Sequence, residues 1–326
     1  MEADSTLGFS YLFGPVFSRR LGRSLGIDLL PYKTCSLDCI YCECGPTTRL
    51  TTERATFVPI EDVLAEVDAY LARNPELDFV TFSGSGEPTL YAGLGRVIAH
   101  LKRRHPRYKV AVLTNGTLFT REEARCDVLM ADLLVPSLDS ATPEGFMAID
   151  RPAAGIEVAA IIEGLVALRR AFSGTLVLEV FIVPGINDTD REVQALRAAA
   201  ERIQPDAIQL NRLDRPGIVA SVTPASDELL ASIRAHLEPL PVFVVPKRQP
   251  GQVRRLDDAQ VDAAILARVA ERSFDTTTLA FLLGLHEGLV AKQVKQMLSD
   301  GRLVPVAPDV PQPFGSPMRL VVRRAP

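Results

Sequence analysis

Four of the five cysteines of the chain lie within ten residues, and three of them form a C-x3-C-x2-C pattern. The pattern consists of Cys35, Cys39 and Cys42, and Cys44 follows two residues later. Three thiolates on one short loop can ligate three irons of a [4Fe–4S] cluster and leave the fourth iron open. An open coordination position is typical of a catalytic metal site, whereas a structural site closes it. The spacing therefore predicts an iron–sulfur centre that can bind a further ligand.

A structural zinc site is the alternative that these cysteines permit. Zinc needs a fourth ligand, which Cys44 could supply. Zinc ribbons use paired C-x2-C units, and the sequence contains no second pair, so the spacing favours the iron–sulfur cluster. Cys44 is interpreted as an unliganded neighbour of the cluster, with a redox-active or substrate-binding thiol as the alternative. Cys126 lies in a helical pattern and is predicted to be a buried, small apolar residue.

Short apolar strands alternate with amphipathic helical stretches from the start of the chain to about residue 250. The predicted strands are Ser24–Leu30, Phe79–Ser83, Lys109–Thr114, Leu133–Leu138, Leu176–Val183, Ala207–Leu213 and Pro241–Val245. Two helix faces are predicted to be buried, one with Val63, Val67, Tyr70 and Leu71, the other with Ile161, Leu165 and Leu168. The alternation predicts an α/β fold with right-handed βαβ units and a parallel sheet, either a barrel or a doubly wound sheet. The cysteine loop follows the first strand, which places it at the carboxyl edge of the sheet, where α/β proteins hold their active sites.

The cysteine pattern, with Tyr41 directly before its last cysteine, resembles the signature of the radical S-adenosylmethionine (SAM) superfamily. The resemblance covers about residues 12–245 and implies a partial (β/α)6-type radical SAM barrel. It implies two cofactors, a [4Fe–4S] cluster and SAM, and a reducing electron donor such as flavodoxin or ferredoxin. In this family the reduced cluster cleaves SAM to methionine and a 5′-deoxyadenosyl radical, which abstracts hydrogen from a substrate. The substrate is unidentified, and an RNA base and a peptide or protein are the two candidate classes.

The resemblance also implies which residues contact SAM. The stretch from Ser83 to Pro88 resembles the Gly-Gly-Glu-Pro stretch of the family, which meets the SAM ammonium, and glycines there permit close backbone approach. Arg151 is assigned to the SAM carboxylate, with a surface salt bridge as the alternative. The full implied set is Tyr41, Ser83, Gly84, Gly86, Glu87, Asn115, Ser137, Asp139, Arg151 and Ile186.

Several of these assignments rest on positions at strand ends. Asn115, Ser137 and Asp139 resemble family positions that hydrogen-bond the ribose or the methionine end of SAM, with turn or helix-cap chemistry as the alternative. Ile186 lies in a stretch that resembles the adenine-contacting turn. The residues predicted to face substrate are Gln209, Asn211 and Asp214, together with Glu179, for which a paired barrel residue is the alternative.

Residues 13–28 closely resemble the start of the wyosine-synthase-like branch, most members of which have no settled substrate. Archaeal tRNA wyosine synthases carry a second cluster on additional cysteines, and Cys44 and Cys126 are too few for that thiolate set. Three arginines in this stretch, Arg19, Arg20 and Arg23, are interpreted either as part of a basic face or as partners of SAM or of structural carboxylates.

A change of composition near residues 246–251 predicts a linker between a first domain, residues 1–250, and a second, residues 251–326. The second contains three helical patterns and two candidate strands, Leu303–Val306 and Arg319–Val322, an order typical of a winged-helix-like domain. Residues 292–326 include six basic and two acidic side chains, a net charge of +4. This domain is predicted to engage an RNA or peptide substrate, and protein contacts are the alternative to nucleic-acid binding.

Composition and charge exclude several classes of protein. The 326 residues are 47% hydrophobic and 23% charged, as in globular proteins, and the net charge of −4 does not indicate a nucleic-acid-binding surface over the whole molecule. No apolar run is long enough to cross a bilayer, and the first residues lack a secretion signal, so we expect a cytoplasmic protein without membrane contact. The alternative function is a nucleic-acid-binding regulator that senses redox state or iron, although such a sensor needs no SAM site at residues 83–88.

Overall fold

The computed structural model describes residue 6 and residues 8–246, 258–269, 274–276, 279, 287–306 and 321–325. The strands are β1 (Leu12–Ser18), β2 (Gly22–Ile27), β3 (Thr34–Cys35), β4 (Arg49–Leu50), β5 (Phe79–Phe82), β6 (Lys109–Thr114), β7 (Leu133–Pro136), β8 (Thr175–Phe181), β9 (Ala207–Asn211), β10 (Val242–Val244), β11 (Phe274–Asp275), β12 (Leu303–Val306) and β13 (Val321–Arg324). The helices are α1 (Ile60–Leu71), α2 (Leu94–Arg104), α3 (Glu122–Val128), α4 (Pro143–Asp150), α5 (Val158–Ala171), α6 (Asp190–Ile203), α7 (Asp227–Leu237), α8 (Asp258–Arg268) and α9 (Glu287–Ser299). None of these helices is long and apolar enough to span a membrane.

An eight-stranded sheet forms the main body, in the order β1-β2-β5-β6-β7-β8-β9-β10. All neighbouring strands are parallel except β1, which pairs antiparallel with β2. Helices connect the parallel strands, and Val80, Val110 and Leu134 on three adjacent strands are fully buried. Burial on both faces explains why these strands are continuous apolar runs. The predicted α/β fold with a parallel sheet is confirmed.

The seven predicted strands correspond to the seven parallel strands, and β6 has the predicted bounds. The other six end one to three residues earlier than predicted. Strand β1 was not predicted, since Gly14 and Pro15 within it indicate a break. The structure accommodates them with an irregular register between Phe13 and Val16, and a proline is tolerated at such a bulge on an edge strand.

The two predicted helix faces are buried as expected. Val63, Val67, Tyr70 and Leu71 of α1 and Ile161, Leu165 and Leu168 of α5 are each at most 2% exposed. Their spacing of three and four residues places each set on one side of its helix, facing the sheet.

The described residues beyond 257 form a smaller unit with its own core. Strands β11, β13 and β12 make a three-stranded antiparallel sheet, and α8 and α9 pack on it. This core also includes Phe13 of β1, so the unit rests on the β1–β2 hairpin. The predicted strand Leu303–Val306 has the same bounds as β12. The predicted linker from residue 247 onward lies outside the described residues, as do Leu282, Leu283 and Arg319, whereas Leu279 of the second helical pattern is buried in this core.

Candidate active site

The cysteine loop lies between β2 and α1, at the carboxyl edge of the parallel strands. Cys35 ends the short strand β3, and Cys39 and Cys42 follow it in an irregular segment. The Ile40 amide donates to the Ile149 carbonyl at 2.9 Å, which ties this segment to the last turn of α4. The three predicted cluster cysteines are thus held in one loop by main-chain hydrogen bonds to a rigid helix.

The cysteine thiols are near neighbours, but they do not form a compact zinc-like set. Burial raises the pKa of the Cys39 thiol, and Asp150, Cys42 and Cys35 raise it further. Among the described residues, the cysteine sulfurs do not bring three ligand atoms within 4.8 Å of one another, so at least one pair of sulfurs lies farther apart than that. A tetrahedral zinc site with Zn–S bonds of about 2.3 Å needs sulfurs roughly 3.8 Å apart. The arrangement is compatible with a cluster, in which each thiolate binds a different iron.

A buried lysine, Lys33, lies directly against the thiols and was missed by the sequence analysis. It is 4% exposed, and its ammonium hydrogen-bonds the Cys42 sulfur. Burial alone lowers the pKa of Lys33, but the charges of Cys42, Cys35 and Cys44 raise it well above its ordinary value. Lysines are rarely this buried unless they are paired, so Lys33 acts as the positive counter-charge of the thiolates. Its only sequence signal is its position two residues before Cys35.

Glu87 is buried and joins the ends of β5 and β6. Its Oε1 accepts hydrogen bonds from the Thr89 amide (3.0 Å), the Thr89 hydroxyl (2.6 Å) and the Thr114 hydroxyl (2.6 Å). Its Oε2 accepts one from the Asn115 amide at 2.7 Å. Burial raises the pKa of Glu87 above its ordinary value, although these four hydrogen bonds lower it in part. The carboxylate therefore positions Thr89, Thr114 and Asn115, and its implied contact with the SAM ammonium stays a prediction.

The glycines of the Ser83–Pro88 stretch allow that loop to pack against the cysteine loop. Gly84 has a φ of +148°, and a Cβ there would lie 2.4 Å from the Asp28 carboxyl carbon. A Cβ on Gly86 would lie 2.1 Å from the Thr34 carbonyl oxygen, one residue before Cys35. Any larger residue would push the two loops apart.

Asn115 reaches the cysteine loop from the end of β6. Its Nδ2 donates to the Ser36 hydroxyl at 2.9 Å and to the Cys35 sulfur at 3.5 Å. Its Oδ1 accepts from the Thr117 amide at 3.1 Å, which is the turn chemistry weighed as the alternative. One side chain therefore both contacts the cysteine loop and stabilises the turn at Thr117.

Tyr41 stacks on Phe181, with ring centroids 3.8 Å apart and planes 7° from parallel. The Tyr41 hydroxyl donates to Asp139 Oδ2, and the Phe181 amide donates to Asp139 Oδ1 at 2.7 Å. Ile186 packs against the same apolar cluster. Three residues predicted to contact SAM are therefore brought together on one side of the cysteine loop.

A small cavity of about 30 Å³ lies between the cysteine loop and the ends of β6 and β7. Cys39, Tyr41, Asn115, Ser137 and Asp139 line it. This volume holds about one water molecule, so Tyr41 or a neighbour must move before a nucleoside can enter.

A larger cavity of about 290 Å³ occupies the barrel interior on the other side of Tyr41. Cys42, Cys44 and Ser83 line its wall next to the cysteine loop. The Cys44 thiol donates to the Gly84 carbonyl at 3.7 Å, so the sulfur lies beside the cavity without leaving the loop.

Ion pairs line the far wall of this larger cavity. Glu179 accepts hydrogen bonds from Arg20, Gln209 and, at 3.3 Å, Asn211. Similar pairs join Arg19 to Asp214 at 3.7 Å and Arg215 Nε to Glu43 at 2.8 Å. Arg19 and Arg20 thus bind carboxylates of the barrel, one of the alternatives raised above. Glu179, Asn211 and Asp214 line the cavity and Gln209 does not, so that a substrate-facing role stays a prediction for all four.

The burial predicted for Cys126 was wrong, and the assignment of Arg151 to the SAM carboxylate stays a prediction. Arg151 is exposed and lines neither cavity, because it adopts a left-handed conformation (φ 43°) at the end of α4. Only its carbonyl contacts the cysteine loop, by accepting from the Asp38 amide at 3.2 Å. Cys126 is exposed on α3 rather than buried.

Comparison with known proteins decides the family. Residues 29–197 match the radical SAM superfamily. The chain belongs to the radical SAM superfamily. It is an enzyme family whose members bind a [4Fe–4S] cluster and SAM, and these are the cofactors of this chain. The cysteine spacing and the buried counter-charge at Lys33 fit the cluster.

Relatives and a solved structure agree with this membership. The radical SAM chain is 35% identical over 225 residues to a UPF0026 protein of Methanocaldococcus jannaschii, covering 68% of this chain and 70% of that protein. It is 32% identical over 308 residues, or 93% of its length, to a Brachyspira hyodysenteriae protein named GTPase Obg, of which it spans 44%. A radical SAM methyltransferase structure from Sphaerobacter thermophilus has the same fold, with a TM-score of 0.54 at 17% identity. That match covers 68% of this chain and 66% of the methyltransferase.

Two buried carboxyls beside the radical SAM site predict a pH-dependent stability. Burial raises the pKa of Asp139 to about 7, and burial and Asp139 raise that of Asp150. A carboxyl whose pKa is raised by folding contributes fully to the stability of the folded protein below about pH 4. That contribution is lost as the pH rises from about 4 to about 7. We expect the melting temperature of metal-free protein to fall between pH ~4 and ~7, and Asp139→Asn to flatten this slope. Equal slopes in the two proteins would refute this origin.

Proposed function

We propose that this radical SAM protein cleaves SAM reductively and abstracts hydrogen from a substrate bound in the larger cavity. Cys35, Cys39 and Cys42 hold the cluster. When bound, the cluster supplies the electron that converts SAM to methionine and a 5′-deoxyadenosyl radical. The observation that carries the proposal is the convergence of three cysteine thiols, a buried lysine and a cavity of about 290 Å³ at the carboxyl edge of the sheet.

Chain residues have separate tasks in this proposal. Asn115, Ser137 and Asp139 line the small cavity, where their polar groups can hold the hydroxyls and the adenine edge of SAM. Tyr41 and Ile186 offer an apolar surface to the adenine. Ser83 and the main chain at Gly84 face the methionine end. Glu87 and Gly86 position the loop that carries those groups, and Arg151 is exposed outside both cavities.

The larger cavity is proposed as the substrate site because it adjoins the cysteine loop and offers both apolar and paired polar groups. Apolar side chains, Phe13 and Phe181 among them, line it together with the Arg20–Glu179 pair. The paired arginine adds polarity to the cavity wall without a free charge. The two substrate groups we propose are a nucleobase and an amino-acid side chain. We place the chain in the wyosine-synthase-like branch without assigning it the wyosine reaction.

The C-terminal unit is proposed to be a winged-helix-like domain that presents this substrate. Its described helices and three-stranded antiparallel sheet support that assignment. Arg302, one of its basic residues, is paired with Asp262 at 2.6 Å and Asp300 at 3.2 Å, which lowers the charge available to a nucleic acid. The proposed electron donor is a small reducing protein such as flavodoxin, and the proposed location is the cytoplasm.

Replacing Lys33 by methionine is expected to lower the midpoint potential of the cluster. Removing a buried positive charge beside the thiolates destabilises the extra electron, by roughly 100 mV if the charges are about 5 Å apart in a medium of effective dielectric constant near 20. An EPR-monitored redox titration measures this, with Lys33→Arg restoring most of the potential. The surface variant Lys102→Met, which removes a pair with Asp132, is the control. An unchanged potential in Lys33→Met would show that Lys33 does not act on the cluster.

Anaerobically reconstituted protein, reduced with dithionite or flavodoxin, tests the proposed function. We expect conversion of SAM to 5′-deoxyadenosine and methionine, detected by mass spectrometry, and deuterium transfer into 5′-deoxyadenosine from a labelled RNA or peptide substrate. Absence of turnover with every reductant, together with redox-dependent DNA binding, would instead support the iron–sulfur sensor.

A further inference from the structure

A second cluster of metal-ligating side chains lies between α1 and α2, away from the cysteines. Asp68 is on the last turn of α1, His100 is on α2, and His105 caps the carboxyl end of α2. The Nε2 atoms of His100 and His105 lie 2.8 and 2.6 Å from the same oxygen, Asp68 Oδ1. Three ligand atoms within 4.8 Å of one another thus converge from two helices.

We propose that Asp68, His100 and His105 bind a divalent cation of the zinc class. Two imidazole nitrogens and one carboxylate oxygen form a common three-ligand zinc set that leaves a fourth position for water. With bonds of about 2.0–2.2 Å, tetrahedral ligands lie roughly 3.2–3.5 Å apart. The nitrogen–oxygen distances in the structure need to widen by only about half an ångström to admit the ion.

Burial and charge of the three side chains suit a cation. The histidines are 17% and 16% exposed and the aspartate 38%, so packing holds the rings while the carboxylate side stays open to solvent. Although burial raises the pKa of Asp68, hydrogen bonds from the two histidines lower it below its ordinary value, so the carboxylate is ionised. The neighbouring cation on α2, Lys102, is engaged by Asp132 at 2.7 Å. A cation therefore meets one carboxylate charge and two imidazole nitrogens.

The site lies at the opposite edge of the sheet from the cysteine loop. Asp68 and His105 are at the carboxyl ends of helices that lead into the starts of β5 and β6. A bound ion there joins α1 to α2 and stabilises the outer layer of the barrel. SAM cleavage at the other edge does not depend on it, so this proposal stands or falls separately from the proposed function.

Zinc binding to the protein with its iron–sulfur cluster in place tests the site. After dialysis against ~10 µM Zn²⁺ we expect about one zinc per chain by elemental analysis, and less than about a tenth of that in His100→Gln or His105→Gln. Glutamine can still donate a hydrogen bond to Asp68, so these variants should fold. The matched control is His236→Gln, which changes an exposed histidine on α7, and it should bind zinc as the unaltered protein does.

A second control separates the histidine site from thiol binding. Cys126 lines the same surface cavity as His100, so Cys126→Ser must keep its zinc if the proposal is right. Zinc should also raise the melting temperature of the unaltered protein and of Cys126→Ser, but not of the two histidine variants. Absence of zinc from the unaltered protein, retention by both histidine variants, or loss in Cys126→Ser would each overturn the proposal.

Discussion

Replacing Cys39 by serine is expected to abolish both cluster assembly and SAM cleavage. A serine hydroxyl is a poor ligand for iron in this setting, and two remaining thiolates cannot hold a cube with a single open iron. Reconstituted Cys39→Ser should contain little iron or acid-labile sulfide, and 5′-deoxyadenosine formation should fall by roughly a thousandfold or more. Elemental analysis and mass spectrometry measure the two losses.

Two other cysteines provide matched controls for this prediction. Cys126→Ser changes an exposed thiol on α3 and should retain iron and activity. Cys44→Ser should retain iron, because Cys44 contacts the Gly84 carbonyl and is not one of the three predicted ligands. If Cys44→Ser lost iron as completely as Cys39→Ser, Cys44 would be a fourth ligand and the proposed open position would be closed.

Replacing Glu87 by alanine is expected to have the largest effect on stability. The substitution removes an acceptor for four hydrogen bonds and leaves the donors of Thr89, Thr114 and Asn115 buried without it. At about 1 kcal/mol for each lost bond, the free energy of unfolding should fall by about 3–5 kcal/mol. Thermal unfolding should then occur roughly 10 °C lower, and Asn115 should lose its fixed contact with Cys35.

The conservative variant Glu87→Gln separates shape from charge. Its Oε1 can still accept from Thr89 and Thr114, while the amide nitrogen cannot accept from Asn115, so an intermediate loss is expected. Glu53→Ala, at an exposed and weakly paired position, should change stability by less than about 0.5 kcal/mol. Equal stability of Glu87→Ala and Glu53→Ala would mean that the Glu87 network does not hold the two loops together.

Much of the fold follows from the sequence because several of its strands are buried on both faces. The alternation of apolar strands with helical stretches predicted all seven parallel strands, and residue spacing predicted the buried faces of α1 and α5. Strand β1 was not predicted, because its stability comes from pairing with β2 and from the packing of Phe13 and not from its own composition.

Site residues that depend on neighbours distant in sequence were harder to predict. Cys35, Cys39 and Cys42 are close together in the sequence, and their spacing alone predicts a cluster site. The function of Lys33 depends on how the loop folds back over it, and the direction of Glu87 depends on β6. Arg151 looked suitable by type, but its backbone conformation turns its side chain to solvent. Such pairings are tertiary contacts that no local pattern encodes.

The EPR spectrum of the reduced protein with and without SAM tests the central claim most directly. If the three cysteines leave one iron open, addition of SAM should change the signal of the reduced cluster, and Cys39→Ser should show neither the signal nor the change. A cluster signal that SAM leaves unaltered, or purified protein that holds zinc in place of iron, would contradict the account.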